Sequence, residues 1–229
     1  EKYKQLFEVT WEKNEKTGKP RRVARYVGKR YAVDPAQRNR LQPWLLLLVA
    51  ASFFLASSPA CQNRAPRPEH WAKPVKLAGV PNFHQVSEEL YRSAQPTAEC
   101  FKELENFGIK SVIDLRGGKY DQKYMAGTNL KYFPLPSKAS QVKEEDLLKF
   151  LKIVSNPDDG PYLVHCHYGA DRTGLFVAVY RIVRQNWSKE EAIREMQQGG
   201  FGFNNTYTNI VKYLQIFDPE KFRQALTSK

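Results

Sequence analysis

The chain has 229 residues, 41% of them hydrophobic, with 13 Gly, 14 Pro and 3 Cys. That length suits one domain of ordinary size with a tail, or two small domains, and is ample for a hydrophobic core. The composition excludes a collagen, a disulfide-stapled miniprotein and wholesale disorder.

A net charge of +12 ordinarily points to nucleic acid or an anionic membrane surface, but this excess is unevenly spread. Residues 1–43 hold 12 Lys/Arg against 5 Asp/Glu, residues 44–76 hold 4 against 1, and residues 77–229 hold 20 against 18. The last two-thirds is therefore nearly neutral. No basic patch interleaved with aromatic residues accompanies the charge, so no nucleic-acid partner is expected.

Residues 1–43 read as a basic N-terminal tail with no amphipathic element. No charged residue falls between Arg40 and Arg64, and Trp44–Ala56 (WLLLLVAASFFLA) has only Ser52 polar. A membrane-spanning helix needs about 20 apolar residues, whereas the apolar core of a secretory signal needs about 7–15. Residues 44–60 are accordingly expected to be a short hydrophobic helix acting as signal or signal-anchor. Ser58-Pro59-Ala60 offers small residues before Cys61. The basic side precedes the run, which places the tail in the cytoplasm and the rest of the chain outside. The expected location is extracytoplasmic, exported or anchored to the membrane through residues 44–60. Residues 61–81, with Pro66, Pro68, Pro74 and Pro81, read as a linker, and residues 82–229 as the folded domain.

Within that domain short β-rich runs alternate with helical ones. Phe83–Val86, Leu90–Tyr91, Ser111–Leu115, Lys131–Leu135 and Tyr162–His165 are predicted strands. Thr97 is the expected cap of a helix to Phe107, with Cys100, Phe101, Leu104 and Phe107 on its buried face and Gly108 ending it. Leu147, Leu148, Leu151 and Val154 have helical spacing within 143–154. Helices are also expected at 174–184, at 207–217 and at 220–226, and Ser188 to Glu191 fits a capping box opening one to Gln198. The alternation predicts an α/β domain with a central, mainly parallel sheet flanked by helices.

Between the strand ending at His165 and the helix near Thr173 stands His165-Cys166-His167-Tyr168-Gly169-Ala170-Asp171-Arg172-Thr173-Gly174. A strand-to-helix turn of this length can aim backbone N–H groups at an anion. Cys166 would feel that positive field and the Arg172 guanidinium, both of which favour the thiolate. Arg172 can hold two phosphoryl oxygens in its planar fork. Thr173 can donate to the sulfur when it leaves. Gly169 permits an unusual backbone, and Gly174 permits close helix packing.

These residues fit the C-x5-R-[S/T]-G signature and identify the chain as similar to the cysteine-dependent protein tyrosine phosphatases. Asn82-Phe-His-Gln-Val86, Leu90-Tyr-Arg-Ser-Ala-Gln-Pro96, Ser111-Val-Ile-Asp-Leu-Arg116 and Gly199-Gly-Phe-Gly202 extend the resemblance to bacterial dual-specificity phosphatases of the periplasmic type. The resemblance implies a phosphorylated protein substrate, a phosphocysteine on Cys166, and no metal or other cofactor. It makes residues 167–172 the phosphate-binding loop, with His167 and Tyr168 at the pocket rim and His165 orienting the loop. Arg116 is expected to be a solvated loop residue and Cys100 core.

Ser140 stands where this family carries its proton-donating Asp. Asp171 is one replacement, corresponding to a loop acid of myotubularin-type and Sac-type lipid phosphatases, with a role in loop structure as its alternative. Glu144, Glu145 or Asp146 is another, and reliance on good leaving groups a third. Two other functions stay open: a phosphoinositide or inositol-phosphate phosphatase, and a pseudophosphatase that binds without turnover. The loop's variable positions contain no Lys or Arg, which argues against a highly phosphorylated ligand.

Overall fold

The computed structural model describes residues 3–13, 20–31, 67–118 and 121–228, and the chain divides into Glu1–Asn63 and Arg64–Lys229. The hydrophobic run at 44–60 and the start of the expected linker lie outside the described residues.

In the first unit, β1 (Tyr3–Lys13) pairs antiparallel with β2 (Pro20–Tyr31). Pairing runs from Tyr3 opposite Tyr31 to Lys13 opposite Pro20, with a register shift between Leu6 and Phe7. The tail is thus not free of secondary structure. Apolar and polar residues alternate through Phe7-Glu-Val-Thr-Trp11, the period of a strand. The register also sets Glu8 opposite Arg25 and Glu12 opposite Arg21.

The second unit is the expected α/β domain. Its strands are β3 (Lys73–Pro74), β4 (His84–Gln85), β5 (Leu90–Ser93), β6 (Ser111–Asp114), β7 (Lys131–Pro134) and β8 (Tyr162–His165). They lie in the order β3-β4-β5-β8-β6-β7. The β5–β8, β8–β6 and β6–β7 pairs are parallel, and the two at the β3 edge are antiparallel.

The helices are α1 (Phe101–Phe107), α2 (Glu144–Ile153), α3 (Asp171–Arg184), α4 (Lys189–Gln198), α5 (Thr208–Ile216) and α6 (Pro219–Thr227). A parallel sheet buried on both faces needs apolar residues pointing both ways. Leu90, Ile113, Tyr162 and Val164 join α2 to α6 in one core, while Val112 and Leu163 pack with α1 residues in a second.

Local expectations differ from the structure in small ways. Thr97 makes no side-chain cap; a 3-10 turn at Ala98–Cys100 leads into α1 instead. Gly108 ends α1 in the left-handed region, at φ 106°. Phe107 is 40% exposed, its ring against Phe83 and Tyr91 at the domain's edge. Helix α3 begins at Asp171, three residues earlier than its apolar pattern indicates. Ser188 accepts from the Glu191 N–H, but the Glu191 carboxylate turns elsewhere.

It turns to the supposed linker. Trp71 and Ala72 are buried, at 5% and 1% exposure, and β3 adds to the sheet edge, so residues 67–81 belong to the domain. The Trp71 indole N–H donates to Glu191 Oε1 at 2.6 Å, and the Ala72 N–H to Glu195 Oε1 at 2.6 Å. Desolvation pushes the Glu191 carboxyl up, but Trp71, Arg194 and His70 outweigh it and hold its pKa at about 2. This clasp is fully present above the ordinary glutamate range and loosens as pH falls toward 2. Glu195 is buried and also takes a forked pair from Arg181, at 2.9 and 2.7 Å. The four prolines of residues 61–81 give that segment a linker-like composition and hide the one anchoring tryptophan. Trp71→Ala is expected to lower stability by about 3 kcal/mol in urea unfolding; a true linker would show no change.

Candidate active site

The parallel register brings three strand ends to one edge of the sheet: Ser93 of β5 and Asp114 of β6 both align with His165 of β8. The loop from Cys166 to Ala170 leaves that edge from the central strand and runs into the N-terminus of α3. Ligands of open α/β sheets bind at such an edge.

Cys166, Gly169, Ala170, Thr173 and Gly174 are buried, whereas His167 and Tyr168 are exposed, Tyr168 at 70%. Their rings contact each other edge to face, 4.5 Å apart. Among the described residues no N–H from His167 to Ala170 donates to a backbone carbonyl. With the first-turn N–H groups of α3, they are available to phosphate oxygens. Thr173 Oγ1 is buried without a hydrogen-bond partner among the described residues, as a donor kept for a sulfur would be. Arg172 is held by one bond from its guanidinium to the Leu115 carbonyl, 3.0 Å.

Two glycines are required by space. Gly169 has φ +67°, and a Cβ there would lie 2.4 Å from the Ser93 carbonyl oxygen. A Cβ on Gly174 would meet Met196 of α4 at 2.9 Å.

Arg92 lies under the loop. Its side chain is wholly buried and donates to the Gly169 carbonyl at 2.8 Å. Its guanidinium stands 3.6 Å from the centre of the Phe201 ring, a cation–π contact. Burial lowers its pKa to about 10, with Glu195 and the Cys166 sulfur acting the other way; it remains a cation at neutral pH. Asn82, itself at φ 55°, ties the loop at Tyr168 to Phe201 by donating to both carbonyls at 3.0 Å. The Asn82, Arg92 and Gly199–Gly202 segments thus act together as the floor of the signature loop.

A second buried group sits at the β6 end. Arg116, 12% exposed at its side chain, forks onto Asp114 at 2.8 Å and also reaches Asp121 Oδ1 at 2.7 Å. It is not the solvated residue expected, because both carboxylates are fully buried and require a cation. Asp121 Oδ2 lies 3.0 Å from His165 Nε2. Asp114, Asp121 and His165 bring ligand-type atoms within 4.8 Å of one another, but Arg116 already supplies the positive charge there.

The remaining expectations divide. Asp171 Oδ1 accepts from the Asn204 N–H at 2.8 Å, which fastens the loop after α4 to the start of α3. Ser140 is exposed in a turn, and Glu144 pairs with Lys221 at 2.5 Å. Asp146 instead lines a cleft of about 350 Å³ with Arg172, beside Lys138, Gln141 and Lys143. Cys100 is core, as expected.

A buried cysteine at a strand end, an arginine six residues later at a helix start, and unengaged N–H groups between them define a cysteine-dependent phosphatase. The comparisons place the chain further. A family model described as Tyrosine phosphatase family matches residues 79–229, and the chain belongs to that family.

It is 35% identical over 190 residues to the dual specificity protein phosphatase TpbA of Pseudomonas aeruginosa, covering 81% of this chain and 86% of that protein. It is 29% identical over 167 residues to the inositol diphosphatase DSP5 of Arabidopsis thaliana, covering 66% of this chain and 77% of that one. The crystal structure of TpbA superposes with a TM-score of 0.64 at 33% identity, over 71% of this chain and 99% of TpbA. The catalytic domain of SIW14 from Saccharomyces cerevisiae, a PP-IP phosphatase, gives 0.58 at 27% identity, over 66% of this chain and 93% of that one. The protein is a phosphatase of this group.

Gly169→Ala is expected to lower stability by at least about 2 kcal/mol in urea unfolding, from the left-handed backbone and the contact with β5 together. It should also abolish vanadate binding. Wild-type values for both would show that β5 does not constrain the loop.

Proposed function

We propose that the protein hydrolyses phosphotyrosine in proteins, and phosphoserine or phosphothreonine more slowly, through a phosphocysteine on Cys166. The observation that carries this reading is the Cys166–Arg172–Thr173 loop on the sheet edge. The thiolate attacks phosphorus, the S–P bond forms as the P–O bond breaks, and Arg172 with the loop N–H groups meets the phosphoryl oxygens. Water then attacks phosphorus and the sulfur departs, with Thr173 placed to donate to it. The exposed rings of His167 and Tyr168 suit an aromatic leaving group at the rim.

Asp146 is the proton donor in this reading, because it shares the cleft of Arg172 while one oxygen of Asp171 is committed to Asn204. General acid help is worth about 100- to 10,000-fold.

A second reading has support from the same cleft. Lys138 and Lys143 line it with Arg172, which provides cations for a substrate with more than one phosphate, as the inositol diphosphatase relatives take. The absence of Lys and Arg from the variable positions of the signature loop is therefore no argument against it.

The site is assigned to the extracytoplasmic side, with residues 44–60 as signal or anchor and the basic residues before them inside. Among the described residues no helix is long and apolar enough to cross a membrane, and this run is not among them. A C-terminal reporter active only outside the cytoplasm tests the assignment: activity is expected, and a fusion that is expressed at full length but inactive overturns it.

Phosphate release from phosphotyrosine peptides, phosphoserine peptides and inositol phosphates tests the chemistry. Turnover is expected on the first, with Cys166→Ser lowering it by at least about a thousandfold; no turnover on any substrate would sink the enzyme reading. Asp146→Asn should slow release from an alkyl phosphate by about 100-fold or more while sparing an activated aryl phosphate. Lys138→Gln with Lys143→Gln should weaken only polyphosphorylated substrates.

A further inference from the structure

No step of the proposed chemistry uses the ribbon β1–β2, yet its register sorts residues in a way the linear sequence hides. Successive residues of a strand alternate between faces. The register shift skips Val27 of β2, so β1 alternates without interruption. On the face of the odd-numbered β1 residues, Tyr3 pairs with Tyr31, Phe7 with Tyr26 and Trp11 with Arg22, and Lys13 and Lys29 lie on it too. All five aromatic residues of the two strands thus share one face, with three cations and no acid. Both acids fall on the other face, Glu8 opposite Arg25 and Glu12 opposite Arg21. This is the interleaving of basic and aromatic residues that a reading along the chain does not show.

Among the described residues no third strand joins the ribbon. Two strands alone are marginal in water and need their apolar face covered. An acid-free face of aromatic residues and cations fits two covers. One is an anionic bilayer surface, where Trp and Tyr settle among the headgroups and Lys and Arg meet the phosphates. The other is single-stranded nucleic acid. The neighbouring sequence decides between them. Only residues 32–43 separate Tyr31 from the hydrophobic run that starts at Trp44, and such a segment reaches at most about 40 Å. With the run in a membrane, the ribbon stays close to the bilayer surface. The charge agrees, at 12 Lys/Arg against 5 Asp/Glu in residues 1–43.

We propose that β1–β2 is a membrane-surface element whose aromatic, acid-free face lies on an anionic lipid surface beside residues 44–60. The proposal rests on the reading of that run as a membrane segment. Thirteen apolar residues, Trp44–Ala56, are short for a span, and the ribbon supplies a second attachment that depends on charge.

The test is contact quenching of Trp11 by brominated phosphatidylcholine in the full-length chain reconstituted into vesicles. Emission of Trp11→Phe is subtracted, which removes Trp44, Trp71 and Trp187. With about 30% phosphatidylglycerol present, the Trp11 signal should fall at least about twofold, and about 0.5 M salt should restore it. Vesicles of brominated phosphatidylcholine alone should leave it nearly unchanged. Arg22→Gln with Lys29→Gln should bring the signal to the neutral-vesicle level. Arg21→Gln with Arg25→Gln, the same loss of charge on the other face, should keep at least about half of the quenching.

Equal loss from the two pairs, or equal quenching in neutral and anionic vesicles, would overturn the proposal. So would quenching of Trp11 by a single-stranded oligonucleotide and not by the anionic vesicles, which would assign the face to nucleic acid. Where a substitution unravels the ribbon, the wild-type comparison of the two vesicle types decides alone. Flotation with neutral vesicles reads residues 44–60 separately: a chain that does not float there sinks the membrane segment, while Trp11 quenching still decides the ribbon.

Discussion

Strand β8 is buried on both faces and ends at His165, so the chain must pass from an apolar strand to the buried Cys166 sulfur without reaching water. A buried polar group without a partner costs on the order of 1–3 kcal/mol, and an unpaired charge more. The structure meets this constraint with partners supplied from either side. Arg92 and Gln95 come from β5 and the residues after it; Asp114 and Arg116 come from β6 and its exit; Asp121 comes from the following connection. The parallel register delivers them, because the ends of β5, β8 and β6 coincide. In an antiparallel sheet the neighbouring strands would end at the opposite edge.

The arrangement also explains why segments distant in sequence depend on one another. The Gly169 carbonyl is held by Arg92, Arg92 is covered by Phe201, and Phe201 is tied to Tyr168 through Asn82. Asp171 fastens the loop after α4 from the other side. A phosphate-binding loop must keep its N–H groups directed inward with no ligand present, and isolated loops do not hold such shapes. Here every carbonyl that could turn inward at Gly169, His167 or Tyr168 is already committed to a donor outside the loop.

Much of this was legible in the sequence, for definite reasons. The strands of the sheet centre are short apolar runs between breakers, and Cys166, Arg172, Thr173 and Gly174 keep a fixed local spacing that survives without knowledge of the fold. What was not legible depends on contact between remote residues. Asp121 sits in a polar stretch where nothing separates it from a solvated aspartate, and Arg92 is one arginine among many until β5 is placed beside β8. Arg116 reads as a loop charge because its two carboxylates come from different segments. Residues 67–81 read as linker because prolines are common there, whereas their structure is decided by Trp71 and two acceptors on α4. The tail was read from its charge, and a count of charges is blind to the period-two alternation of β1 and β2.

The charge of the site cannot be read from the signature loop alone. The loop has Arg172 as its single Lys or Arg, which by itself suits one phosphate. The fold then adds Lys138 and Lys143 from the connection before α2 on the same side as Arg172, and Asp146 among them. Cations at a water-filled rim interact weakly with an anion, about 1 kcal/mol at 4 Å in bulk water, whereas the buried Arg92 acts through a medium of far lower polarity. The two groups therefore have different consequences. Arg92 faces the Cys166 sulfur electrostatically from beneath the loop, while in the proposed reading Lys138 and Lys143 meet those parts of a substrate that lie outside the loop. In the proposed reading, substrate preference can thus change through the rim lysines without disturbing Cys166.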